Sequence, residues 1–467
     1  MKLKCVSAAV AAVLLASVVG TASAAHADGP VTVYVATSGS DTNVGTADAP
    51  FSTLQHAVDV LSGTGGTVVV SAGVYAQQVS VHGTSGIAIT GAPGGPLPTL
   101  DGSSLTVPTG RSAMIDIADS TNISVSNLEI TGYRTSDIDA FPMGVYVHGG
   151  DTGVAISGLH VHDLGNDNGT QGSMAMNAHG IAAYGDSPTQ SISNLTISGN
   201  EVDNLVLGAS ESVVVNGNVD GWRITGNHIH DNNNIGIDAI GFEPTLSDPY
   251  RYTDVNRARN GEISGNDVEN ISSKTNPAYS GGLSADGIYV DGGTQINIDH
   301  NTTNGDDIGI EVAAENANGY VDHVNVTNNT VSNSNYVGIS TGGYCDGDQS
   351  CGGVQTGASY SNTFSGNILR NNNATMDGSP QFLIQYHESN NQITGNTICA
   401  TGSQTNLLGT VDRSTSGAGD VVNNNTYSAA VGADSAQWGW QGATYTGFDA
   451  YRAATGLDAN STYSATC

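Results

Sequence analysis

The hexapeptide Ile224-Thr-Gly-Asn-His-Ile229 decides the architecture, because it recurs along the chain. It reads Ile197-Ser-Gly-Asn-Glu-Val202 one repeat earlier and Ile263-Ser-Gly-Asn-Asp-Val268 one repeat later. It returns as Phe364-Ser-Gly-Asn-Ile-Leu369 and Ile393-Thr-Gly-Asn-Thr-Ile398, with looser copies starting at Val125, Ile156, Ile298 and Val326. From Val125 onward these tags alternate with a rung of the form Gly-apolar-x-apolar-x. The rungs start at Gly144, Gly180, Gly236, Gly287, Gly309 and Gly338, and Ser212-Val-Val-Val215 is a weaker member. Tags recur every 27 to 41 residues up to Val326, and the variation in length falls in polar segments.

Apolar residues at every second position make each segment a short strand. A repeat of this length built from strands is a solenoid. Gly and Asn suit the corners, because both tolerate the left-handed backbone that a sharp bend needs. One Asn per coil can also bond to the next along the axis. The expected fold is therefore all-β, a right-handed parallel β-helix over residues 66–400. A strand and capping helix over 28–65 precede it, and a C-terminal cap over 401–467 follows. Open strand edges at each end need covers. Phe51–Leu61, after Pro50, and Phe448–Thr455, before Gly456, carry short helical patterns that supply them. Trp438 and Trp440 are read as cap packing.

Lys2 and Lys4 precede an apolar run from Val6 to Val19, and Ala-Ser-Ala (22–24) and Ala-His-Ala (25–27) follow. That is the layout of a secretory signal peptide over 1–27, so the protein is expected outside the cell. Without the two leader lysines, 10 basic face 43 acidic side chains, a net charge of −33. Such a surface excludes nucleic acid and anionic lipid as partners. A neutral glycan fits better, and with no oligomer signal a monomer is expected. Cys345 with Cys351, and Cys399 with Cys467, are expected to pair, as an even cysteine count in an exported chain suggests.

Aligning the rungs places side chains. The residue after each Gly and the one two further on point into the core. One outward column then runs Tyr146, Ala182, Val214, Asp238, Tyr289, Glu311, Ser340; a second runs His148, Tyr184, Asn216, Ile240, Asp291, Ala313. The stretch Asn304-Gly-Asp-Asp-Ile-Gly-Ile-Glu-Val-Ala-Ala-Glu-Asn316 adds Asp306 and Asp307 just before Glu311, and Asp286 stands one coil earlier. Coils are about 4.8 Å apart, so these acids are expected to share one surface strip. Crowded like charges raise the pKa of at least one carboxyl. A general acid in glycoside hydrolysis needs that, together with a second carboxylate. Oxygen ligation of Ca²⁺ and plain solvated turns are the alternatives.

The chain resembles the pectate-lyase-like β-helix superfamily. The N-terminal stretch Tyr34–Thr46 with Pro50–Val58 is similar to the opening segment of many secreted members. The order Ser284-Ala-Asp-Gly-Ile288, Gly305-Asp-Asp307, Val337-Gly-Ile-Ser-Thr-Gly342 resembles polygalacturonase-type glycoside hydrolases. The resemblance implies that Asp286, Asp306 and Asp307 are catalytic acids of an inverting hydrolase. The histidine and the Arg-x-Lys triplet by which that family grips galacturonate have no counterpart here, so a different sugar is implied. No cofactor is required by this reading, with Ca²⁺ as an option.

The expected site is thus catalytic Asp286, Asp306, Asp307 and Glu311. Asp238, Glu243, Tyr289, Asp291, Tyr184, His148 and Lys274 are expected to bind substrate. Glu243 comes from a loop, 243–260, whose length suits a cleft wall. A Ca²⁺-dependent polysaccharide lyase, with Lys274 or a loop arginine as base, is the runner-up. A non-catalytic glycan-binding solenoid is the third reading.

Overall fold

The computed structural model of the protein describes residues 31–347, 356–411 and 416–467. The leader 1–27 and the Cys351 half of the Cys345–Cys351 pairing lie outside them. Three long sheets of 15, 13 and 13 strands wrap the chain, and up to the C-terminal cover each strand pairs with the one a full coil away. Nearly every pairing is parallel, and the chain is a right-handed parallel β-helix. The first face holds the apolar start of each tag and the third face its end. The second face holds the rungs.

The tag forms the corner between the first and third faces. Ile197–Ser198 ends one strand and Glu201–Val202 begins the next. Between them Gly199 turns at φ 61°, and the same position in later coils is Gly226 at 62° or Asn328 at 56°. The left-handed bend explains the Gly/Asn choice. The Asn that follows points inward and bonds along the axis. Asn200 Nδ2 donates to Asn227 Oδ1 at 2.9 Å, Asn227 to Asn266 at 2.9 Å, and Asn266 to Asn301 at 2.9 Å. The ladder continues through Asn329, Asn367 and Asn396 to Asn425. Each amide also donates to a carbonyl of the preceding coil, as Asn266 does to Ile224 at 2.9 Å. The expected stack of one Asn per coil is formed by Asn200, Asn227, Asn266, Asn301 and Asn329, and Asn367, Asn396 and Asn425 extend the ladder.

Coils continue past residue 400. Val421–Asn423 and Thr426–Ala429 still pair in register with the coil before. The C-terminal cover is the antiparallel pair Gln437–Trp440 and Ala443–Thr446 with helix α2, Phe448–Thr455. Trp438 is buried there and stacks on Tyr451 at 5.5 Å. Cys399–Cys467 closes as a disulfide with Cα atoms 5.8 Å apart. At the other end α1, Leu54–Leu61, buries Leu54, Ala57, Val58 and Leu61, and the Thr53 hydroxyl caps it by accepting from His56 N.

Candidate active site

The rungs put one residue per coil on the outer side of the second face. Cα pairing links Tyr146, Ala182, Val214, Asp238, Tyr289, Glu311 and Ser340 in succession, the first outward column in full. The second column holds through His148, Tyr184, Asn216 and Ile240, and again at Asp291 and Ala313. Outward is not exposed, however. Segments that leave the face at 167–178, 241–258 and 273–284 stand over it, and Asp238, Asp286, Asp291 and Glu311 are all buried. A groove along the axis remains between these walls.

Three connected cavities make up the groove. The largest, about 580 Å³, is lined by Asp286, Glu311, Tyr336, Tyr344 and Gln385 among others. A narrower one of about 220 Å³ holds Glu211, Asp238, Glu243 and Asp291. The two share Met174, Ile235, Tyr279, Tyr289 and Glu315 as a common floor and walls. A third, about 330 Å³, continues toward the N-terminus past Tyr184, His179 and Arg111.

The carboxylates divide into unequal pairs. Glu311 Oε1 accepts from Ser340 Oγ at 2.8 Å and Gln385 Nε2 at 2.5 Å. Glu311 and Asp286 also hydrogen-bond each other, while Asp286 Oδ1 has no partner. Two donors favour the ionised form of Glu311, so the shared proton stays on Asp286. Burial first, and then the charges of Glu311 and Asp238, push the Asp286 carboxyl well above the ordinary range. In the next cavity Glu315 N donates to Asp291 Oδ1 at 2.7 Å. Burial and then the Glu315 charge raise Asp291. Burial and the charges of Glu211, Asp291 and Glu315 raise Asp238, whose Oδ1 also lacks a partner. Glu211 rises to about 8 through burial and the Glu243 charge. Glu315 is an exposed residue whose carboxyl is turned into the groove, where desolvation and the charges of Glu311 and Glu243 raise it to about 7.

His179 adds a neutral contact. Its Nδ1 donates to the Glu211 carbonyl at 3.1 Å, and its Nε2 accepts from Tyr184 Oη at 3.2 Å. Burial holds this imidazole down to about 3, so its 3.4 Å approach to the Glu211 carboxylate is not an ion pair. The Arg111 guanidinium lies 4.4 Å over the Tyr184 ring.

Four expected residues stand elsewhere. Asp306 does not face the groove: it is buried at a corner behind the third face, and its Oδ1 accepts from Ile271 N at 2.9 Å. Asn232 and Asn372 take the same corner place in other coils. Asp307 is buried too, and six donors surround it. They are Ser272 Oγ (2.7 Å), Ser273 N (2.8 Å), Ser273 Oγ (3.1 Å), Ser284 N (3.1 Å), Ala285 N (3.1 Å) and Asn335 Nδ2 (2.9 Å). It clasps both ends of the loop that carries Tyr279 and Leu283 over the groove, so the expectation that it lies on the surface strip with Glu311 is corrected. Lys274 sits on the outside of that loop, exposed and clear of the lining. His148 packs on Tyr146 at 4.4 Å and bonds Asp116 at 3.1 Å, beyond the groove's end. Among the described residues no Lys or Arg lines the two acidic cavities.

Sequence reasoning missed Glu211, His179, Tyr279, Tyr344 and Gln385 and left Glu315 out of the site. Glu211 directly precedes the weak rung at Ser212, and Glu315 closes the acidic stretch after Glu311, so both had a positional signal. Tyr279 and Tyr344 lie on loops, where no periodicity places them.

No family model matches the chain. Among solved structures it is similar to XylC in complex with xylose, at 11% identity and TM-score 0.49, over 93% of this chain and 86% of that one. It is also similar to the A-module of the Azotobacter vinelandii mannuronan C-5 epimerase AlgE6, at 16% identity and TM-score 0.46, over 88% and 93%. Over 440 residues it is 35% identical to the uncharacterized protein YwoF of Bacillus subtilis (strain 168), a match spanning 92% of this chain and 87% of that one. At that identity and coverage, the chain belongs to the family of YwoF.

Proposed function

We propose that the chain is a secreted glycoside hydrolase that binds a glycan of low negative charge along the second face. One observation carries this reading: a buried Asp286 set beside Glu311 on one side of a shared floor, with Asp238 and Asp291 on the other. A sugar laid over Tyr289 and Ile235 meets a proton donor on one side and a carboxylate on the other, as glycoside hydrolysis requires. Asp286 is the general acid and gives its proton to the leaving oxygen, while the Glu311 charge keeps that proton in place beforehand. Asp238, raised by the charges of Glu211, Asp291 and Glu315, serves as the base that activates water once its own proton has passed to that set. It aligns with Tyr289, one coil from Asp286 and three residues along, about 5 Å by about 10 Å in strand geometry. That is about 11 Å between Cα atoms, and carboxyls leaning toward each other from there span the about 6.5–9.5 Å that leaves room for a water in inversion. Tyr184, Tyr279, Tyr289 and Tyr344 offer ring faces and hydroxyls to neutral sugars, while the uncompensated acids repel uronates. The lyase alternative needs a cationic base, and no such lining residue stands near Asp286 among those described.

The test is a panel of neutral and uronic polysaccharides with and without chelator. New reducing ends without ultraviolet-absorbing products, unaffected by chelator, support the reading. Unsaturated products or loss of cleavage with chelator would replace it with the lyase, and binding without cleavage with a non-catalytic solenoid.

A further inference from the structure

The third face carries a chemistry that the groove does not use. Its outward positions alternate by coil, in register: Glu129-Ile-Thr131, His160-Val-His162, Glu201-Val-Asp203, His228-Ile-His230, Asp267-Val-Glu269. Alternate strand residues share a side, so each His-x-His coil presents two imidazoles together. Their rings stack at 4.1 Å in both coils, at 25° and 28°. In each case a glutamate of the coil before completes a triad. The nearest ligand atoms of Glu129, His160 and His162, and those of Glu201, His228 and His230, lie within 4.8 Å of one another.

In the second triad the hydrogen bonds leave a place for a cation, and in the first His162 Nε2 meets Glu129 Oε1 at hydrogen-bond distance, where an ion would take the proton's place. His162 Nδ1 stands 2.8 Å from Asp163 Oδ2, and His230 Nδ1 2.8 Å from Asp231 Oδ2. Asp163 and Asp231 take left-handed backbones, φ 50° and 54°, at the corner after each strand. A neutral imidazole that donates through Nδ1 presents a bare lone pair at Nε2. That lone pair faces Glu129 Oε1 at 3.0 Å in the first triad and Glu201 Oε1 at 3.5 Å in the second. His230 Nε2 is buried without a hydrogen-bond partner. A lone pair set against a carboxylate repels it unless a proton or a metal ion lies between. Two donors on a tetrahedral ion at 2.0–2.1 Å stand about 3.3 Å apart, between the two observed distances. A carboxylate behind the imidazole is the outer partner that metal-bound histidines carry. His160 is braced by Asp203 Oδ1 at 2.7 Å.

We propose that the third face binds two divalent cations of the zinc class, one at each His-x-His coil. Two imidazoles and one carboxylate suit such an ion better than calcium or magnesium, which prefer all-oxygen sites. None of these residues lines the groove, so the sites are separate from the proposed hydrolytic centre.

Calorimetric titration of the full mature chain with ZnCl₂ at pH 7.5 tests this. His160→Ala with His162→Ala should remove one equivalent, His228→Ala with His230→Ala another, and the quadruple variant two. Zinc should raise the melting temperature of the parent by more than that of the quadruple variant, since only ligand bound to the folded state stabilises it. If the histidine variants misfold, Asp163→Asn with Asp231→Asn keeps every imidazole and should weaken zinc binding about 10- to 100-fold. Equal stoichiometry in parent and quadruple variant, or unchanged affinity in the aspartate variant, would overturn the proposal. The proton would then be what lies between ring and carboxylate.

Discussion

Two rows of buried polar side chains run along this helix, at the corner between the first and third faces and across the second face. In the corner each asparagine amide up to Asn396 meets both the next amide and a backbone carbonyl, and Asn425 ends the row on the Asp458 carboxylate, so burial leaves nothing unpaired. Across the second face the row consists of carboxylates, Asp238 and Asp286 each keep an oxygen without a partner, and no lining cation balances them among the described residues. The first row is what a repeating backbone can satisfy by itself. The second opposes folding, since an unmet buried polar group costs about 1–3 kcal/mol. It persists because the rigid coils hold it in place.

The largest effect should come from the second row. Asp286→Asn removes the proton donor and should lower turnover about 10²–10⁴-fold, the usual worth of general acid–base help. Stability should hold or rise, because a neutral amide replaces a desolvated acid. Rates on the active polysaccharide and a melting curve check both halves. A variant with near-full activity would remove Asp286 from the chemistry.

Asn266→Leu tests the first row in the opposite sense. It leaves the Asn227 N–H, the Asn227 amide and the Ile224 carbonyl without their partners. At about 1–3 kcal/mol each, the loss should be about 3 kcal/mol or more, seen as a lower urea midpoint. Activity per folded molecule should not change. A midpoint equal to the parent's would show that the ladder is ornamental.

The two rows also differ in pH response, because amides do not titrate. Glu211 is buried and raised to about 8 from 4.5. A carboxyl whose folded pKa lies above its unfolded value binds its proton more tightly when folded. Its stability contribution is therefore greatest below the unfolded pKa and is lost as pH rises through the folded one. Stability should fall between about pH 4.5 and 8, and Glu211→Gln should flatten that fall by about 5 kcal/mol, at about 1.4 kcal/mol per pKa unit. Denaturant midpoints at several pH values measure it. A parallel decline in the variant would place the effect elsewhere.

The same contrast explains what the sequence could and could not tell. The corner was legible because Gly199 and Asn200 answer local demands, a left-handed bend and an inward amide, that recur in every coil. The columns were legible because strand side chains alternate. Burial of Asp238 and Asp286 was not, because it comes from loops such as 273–284 whose path over the groove has no period. Asp306 and Asp307 misled for a different reason. Their adjacency looked like a catalytic pair, while the coil assigns one to a corner and the other to a loop clasp. The neighbouring Asn232-Asn233 and Asn372-Asn373 pairs held the clue.

Asp306 gives the smallest and most selective prediction. At its corner Asn232 accepts from Leu205 N and donates to the Val202 carbonyl at 3.0 Å, and Asn372 accepts from Ser334 N and donates to the Val331 carbonyl at 3.3 Å. Asp306 accepts from Ile271 N in the same way, but its Oδ2 has no partner. The Val268 carbonyl stands where Val202 and Val331 stand in those coils. Burial, and then the Asp307 charge, raise the Asp306 carboxyl well above the ordinary range. Asp306→Asn supplies the missing donor in nearly the same shape and replaces a desolvated acid. Stability near pH 7.5 should rise by about 1 kcal/mol, the net worth of one hydrogen bond, with activity unchanged. A large loss of activity at normal stability would return Asp306 to the reacting centre. A loss of stability would mean that this corner needs an acid where its neighbours use an amide.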